Sequence, residues 1–113
     1  LGWSALAQSY RDAKQPLRAA QTLNNAHNVR KGTSATYFLL GESYADLDRD
    51  LPAAAAYRES LKLNEEFAEA WFGLGRASAR LGRAADYESA LKALSRLNSA
   101  LAKDLAELRP GLR

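Results

Sequence analysis

Apolar and small residues recur along this chain at helical spacing, without the strict alternation of a strand. The clearest stretch runs from Tyr37 to Leu61. Tyr37, Leu40, Gly41 and Tyr44 stand three or four residues apart, so at about 100° per residue they share one narrow stripe. The polar run Asp48-Arg49-Asp50 interrupts the pattern. A second stripe follows at Ala53, Tyr57, Ser60 and Leu61. This spacing predicts a helix, a tight turn and a second helix folded back on the first.

The stretch echoes on both sides at an offset of 34 residues. Trp3, Leu6, Ala7 and Tyr10 stand upstream where Tyr37, Leu40, Gly41 and Tyr44 stand, and Trp71, Leu74, Gly75 and Ser78 stand downstream. In the second helices Ala19 matches Ala53, and Leu23 and Leu91 match Tyr57. Val29, Leu63 and Leu97 close the units. An offset held at so many positions without a gap is the pattern of stacked helical hairpins, each unable to bury its apolar face alone.

These residues resemble the tetratricopeptide repeat: Trp, two residues, Leu-Gly, two residues, Tyr, then Ala, three residues, Phe. The second unit matches best, with Tyr37, Leu40, Gly41, Tyr44, Ala53 and Tyr57. The third departs at Ser78 and carries Tyr87 where a small residue is usual; the first carries Ala7 for the glycine. The closing proline is replaced by Lys31, Glu65 and Ser99. The resemblance implies an all-α superhelix of three helical hairpins, about 1–33, 34–67 and 68–101. A capping helix over about 99–109 brings the total to about seven helices, all in one domain spanning 1–113.

Local signals place the elements. The first hairpin should hold helices over 1–13 and 17–29, with Pro16 in the first turn of the second. Thr33 or Ser34 can cap a helix over 35–47. Asp50 is a candidate N-cap for the helix ending near Leu63, with Pro52 just inside it. Helices over 67–80 and 84–97 follow, with Gly82 supplying the left-handed residue between them. Carried past Asn98, the offset puts Leu105 at the anchor position, Leu108 at the next packing position and Leu101 opposite Phe67, with Pro110-Gly111 as the stop. Gly41, Gly75 and Ala7 should let facing helices approach closely. Trp3 and Trp71 read as packing anchors, and His27 as a structural residue.

Composition narrows the function. The chain has no Cys, which removes disulfides and Cys-ligated metal, and no apolar run long enough for a membrane span. Cysteine-free chains occur inside and outside cells, so cytoplasm and periplasm both stay open. Alanine- and arginine-rich repeats of this kind are common in bacterial proteins. No Met is present even at position 1, so the chain is expected to be a fragment of a longer protein with further repeats before Leu1. The net charge is +3, with sixteen basic and thirteen acidic residues. These look interspersed, without the basic stripe of a nucleic-acid binder. A single His, no metal-ligand spacing and no nucleophile–base set argue against an enzyme, and no cofactor is implied.

The first helix of each unit should point a second row of residues into a concave groove. These are Ser4, Gln8 and Arg11, then Phe38, Glu42 and Ala45, then Phe72, Arg76 and Ala79, with Arg80 beside them. The resemblance implies that peptides or partner helices bind there. Phe38 and Phe72 would form an apolar ladder, Gln8 would pair with a peptide amide, and Arg11, Arg76 and Arg80 would take carboxylates. Glu42 and Arg76 are one unit apart and can also pair with each other. Family members that clamp acidic chaperone tails use Lys and Asn where this chain has Ser4, Gln8, Leu39, Glu69 and Gly73, so that partner is rejected. The expected function is therefore a protein- or peptide-binding scaffold. Self-association or intramolecular docking through the first unit is the alternative, and nucleic-acid binding, with the groove arginines tracking phosphates, is a lesser one.

Overall fold

A computed structural model describes residues 2–109; the Pro110-Gly111 stop lies outside them. The described residues form seven α-helices and no strand. They are α1 (Trp3–Asp12), α2 (Pro16–Val29), α3 (Ser34–Asp46), α4 (Asp50–Leu63), α5 (Ala68–Leu81), α6 (Ala84–Leu97) and α7 (Ser99–Glu107). Helices α1/α2, α3/α4 and α5/α6 are antiparallel hairpins, and each first helix also packs on the second helix of the hairpin before it.

Two rows result. Helices α1, α3, α5 and α7 touch in sequence, each against the next. No Cα of α2 comes within 8 Å of α4, nor of α4 within 8 Å of α6. One row is close-packed and the other splayed, so the stack bends with the odd-numbered helices on its inner side. The molecule is elongated, 41 × 24 × 21 Å.

The turns inside the hairpins share one device. Lys14, Asp48 and Gly82 stand 34 residues apart, and all three adopt left-handed backbone, with φ of 62°, 58° and 72°. Only the glycine announced itself in the sequence. Lys14 and Asp48 hold the same shape against the steric cost of a Cβ. Thr33 caps α3, its side chain accepting from the Thr36 amide while the Thr36 hydroxyl accepts from the Thr33 amide. Asp50, by contrast, is not an N-cap: it is the first residue of α4, with Arg49 before it and no side-chain cap bond. Its carboxylate is drawn instead toward Arg80, 3.6 Å away.

The middle of the molecule is built around Tyr57. Its ring is fully buried between α3 and α5, in a slot opened by two glycines. A Cβ on Gly41 would lie 2.8 Å from the ring, and one on Gly73 would overlap it. Burying such a side chain contributes about 2 kcal/mol, and the missing methyls are what make room for it. At the third unit, a Cβ on Gly75 would meet Leu105 Cδ2 at 2.5 Å.

The two ends of the stack differ. At the C-terminal end α7 lies across α5 and α6, with Leu105 at 0% exposure. The Asn98 side chain caps α7 by accepting from the Leu101 amide at 3.1 Å. Tyr87, out of place by the repeat pattern, donates its buried hydroxyl to the Leu105 carbonyl at 2.8 Å. Leu108 does not pack as its register position suggested; the helix has ended, and the side chain is 44% exposed. At the N-terminal end Trp3 and Leu6 are 48% and 44% exposed and Val29 79%. Trp3 therefore does not act as a buried anchor, because no helix lies on its outer side among the described residues.

Candidate functional site

The inner row of helices carries the residues expected to face the groove. Gln8, Glu42 and Arg76 occupy one register position on α1, α3 and α5 and form a polar line along the stack. Glu42 is its centre. One carboxylate oxygen accepts a hydrogen bond from the Tyr57 hydroxyl and lies 3.3 Å from Arg76 Nη2; the other lies 3.8 Å from Arg11 Nη2. Arg76 Nη2 also donates to the Tyr57 hydroxyl at 3.3 Å. Burial pushes the Tyr57 phenol far above its ordinary pKa, Glu42 raises it further and Arg76 only partly offsets this. Tyr57 is therefore a fixed donor, reaching through the two-glycine slot to hold Glu42 in place.

Arg11 extends the line. Its Nε donates to Asp46 Oδ2 at 2.8 Å, and its Nη1 donates to Gln8 Oε1 at 3.4 Å. The Gln8 amide donates in turn to Asp12 at 2.8 Å. Arg80 sits at the end of α5, near Asp50 at 3.6 Å and Asp48 at 3.8 Å. Each of the three groove arginines thus faces a carboxylate of a neighbouring hairpin. Exposed pairs of this kind contribute only about 0–1 kcal/mol each. Their larger effect is to fix the side chains that a ligand would meet.

The two phenylalanines do not meet as a ladder. Phe38 is half-buried against Phe67, with ring centroids 4.8 Å apart, and against Tyr57 at 6.0 Å. Phe72 packs toward the Tyr87–Leu105 cluster and lies beneath Arg76, whose guanidinium carbon is 5.7 Å from the ring centroid. Phe67, which precedes α5, is the ring that Phe38 meets instead.

His27 serves packing. Its Nε2 is 3.0 Å from the Thr36 hydroxyl and its ring lies 4.2 Å from that of Tyr37. Burial lowers its pKa. Sequence spacing missed Tyr57, placed on a packing stripe with no polar duty. The signal that could have found it is the pair Gly41 and Gly73, one unit apart less two residues, flanking a large aromatic.

A family resemblance carried by packing residues is tested by shape. The crystal structure of MamA, a protein with tetratricopeptide repeats, superposes on this chain with a TM-score of 0.81. The match covers 95% of this chain and 68% of that one, at 21% identity. The fold is a tetratricopeptide-like helical repeat. No protein-family model and no curated protein matches the sequence. The agreement with a tetratricopeptide-like backbone is thus one of overall architecture, a series of packed helices. No helix of the described residues is long and apolar enough to cross a membrane.

Proposed function

We propose that this chain is a protein-interaction module, without catalysis of its own, that holds a peptide or partner helix in its concave groove. The observation that supports this reading is the line Gln8–Arg11–Glu42–Arg76, pinned from behind by Tyr57. A ligand meeting ordered donors and acceptors loses less side-chain entropy on binding than one meeting free chains. Phe72 beneath Arg76 adds an apolar contact in the same groove, and the small Ala45 and Ala79 leave room for a backbone. The groove arginines are turned to carboxylates of their own chain, which disfavours a phosphate backbone as ligand.

The test is to select binders from a displayed random peptide library and map one by chemical-shift perturbation. Shifts centred on Gln8, Glu42, Phe72 and Arg76 are expected. Shifts confined to the outer faces of α2, α4 and α6 would contradict the groove.

A further inference from the structure

The hairpin turns share more than their backbone shape. They recur at Lys14, Asp48 and Gly82, and the first helices pack against each other in sequence. The three turns therefore line one long edge along the side of the stack, and each even-numbered hairpin helix starts there.

Two leucines stand on this edge at one register position, Leu17 in the first turn of α2 and Leu51 in the first turn of α4. They are 48% and 57% exposed. Their openness is not a property of the ends of the stack. Helix α4 has a hairpin on either side of its own, and α2, α4 and α6 do not touch one another. A further hairpin packed in the same way would leave both leucines as they are.

Four cations accompany them. Lys14, Arg18, Arg49 and Arg83 each lie within one turn of the N-terminus of α2, α4 or α6, and Arg49 and Arg83 are the N-cap residues themselves, without a side-chain cap bond. A helix carries partial positive charge at that end, so a cation there works against the helix, and Asn, Asp or Ser would serve the backbone better. None of the four forms an ion pair with any described residue. The carboxylates of the same edge are engaged elsewhere: Asp46 with Arg11, Asp48 and Asp50 with Arg80, and Asp86 with Arg58. Free positive charge is thus held where local energetics disfavour it and no internal partner compensates, which is expected of a contact surface.

Cations alone would suit any polyanion; the leucines discriminate. A nucleic acid offers an exposed leucine no apolar phase, and an acidic protein would need a matched pocket for each of the two. The surface of an anionic bilayer supplies both an apolar phase and negative charge.

We propose that the turn edge docks this chain reversibly on an anionic lipid surface, with Leu17 and Leu51 dipping into the interface and Lys14, Arg18, Arg49 and Arg83 meeting headgroup phosphates. No helix of the described residues crosses the bilayer in this mode. The inference makes no use of the groove and stands or falls apart from it.

The test is co-sedimentation with phosphatidylcholine vesicles, with and without about one third phosphatidylglycerol. Binding is expected to the anionic vesicles, to be far weaker on the neutral ones, and to fade as salt rises. Arg49→Glu should weaken it about tenfold, since one cation is removed and one repulsion added. The same change should leave thermal stability level or raise it, because a carboxylate suits a helix N-terminus; loss of binding is then not loss of fold. Lys92→Glu makes the same change of charge on α6, away from the edge, and should leave binding nearly unaltered. Leu17→Ser with Leu51→Ser, at exposed positions, should weaken binding about tenfold with the helical circular dichroism intact. No binding, equal binding to the two kinds of vesicle, an equal loss in Lys92→Glu, or binding untouched by the leucine changes would overturn the proposal. So would single-stranded DNA held as tightly as the anionic vesicles.

Discussion

Trp3 and Leu105 hold the same register position at opposite ends of the stack, three units apart, and their surroundings differ in kind. Leu105 is sealed between α5 and α6 and its helix is tied down by the Tyr87 hydroxyl. Trp3 has its own hairpin on one side and solvent on the other. One repeat pattern thus yields a buried packing residue or a half-exposed one, according to whether another described helix lies across the interface. In a linear stack each unit is stabilised by its neighbours, so among the described residues the end without a cover is the weaker end.

The sharpest way to break this contrast is to truncate both residues. Leu105→Ala should cost about 3 kcal/mol, from lost burial and the cavity left behind. Trp3→Ala should cost within about 1 kcal/mol, as for an exposed position. Denaturant unfolding of both variants checks this, and equal losses would mean the two ends are packed alike. Next in size is the C-terminal tie. Tyr87→Phe removes the buried hydroxyl bond to the Leu105 carbonyl, which keeps the Leu108 amide, and should cost about 1 kcal/mol, measured by thermal unfolding. A neutral result would remove the hydroxyl from any role in holding α7.

A smaller effect sits in the hairpin turns. Lys14 adopts at φ 62° the shape Gly82 adopts at 72°. Lys14→Gly is therefore expected to stabilise the weak end by about 0.5 kcal/mol, while Gly82→Ala should destabilise the strong end by about 1 kcal/mol. The smallest effect is the response of His27 to pH. Its pKa is lowered from the ordinary 6.5 by burial. The unfolded chain then binds the proton more readily than the native one. Stability should be full above about 6.5, decline as pH falls through that value, and level off below the folded pKa. His27→Gln should flatten this part of the unfolding profile.

The backbone of the fold was legible because repeat positions 3, 37, 71 and 105 carry bulky side chains and 7, 41 and 75 carry small ones, and stacking depends on little else. What the sequence concealed arises where residues from different units meet. Tyr57 lies on a packing stripe by spacing, yet its hydroxyl emerges beside Glu42, since Gly41 and Gly73 clear its path. Phe38 packs on Phe67, a residue outside any helix stripe. Tyr87 broke the pattern visibly, but its reason lay in a carbonyl of a helix 18 residues on. Trp3 looked like Trp71 because periodicity carries no record of which helix faces lie against a neighbour.

Amide hydrogen exchange of the isolated chain tests the contrast between the ends most directly, because it reads the opening free energy of each helix separately. The α7 amides around Leu105 should be protected to nearly the same degree as those around Tyr57, while the α1 amides exchange through openings of much lower free energy. Equal protection of α1 and α7 would contradict the account.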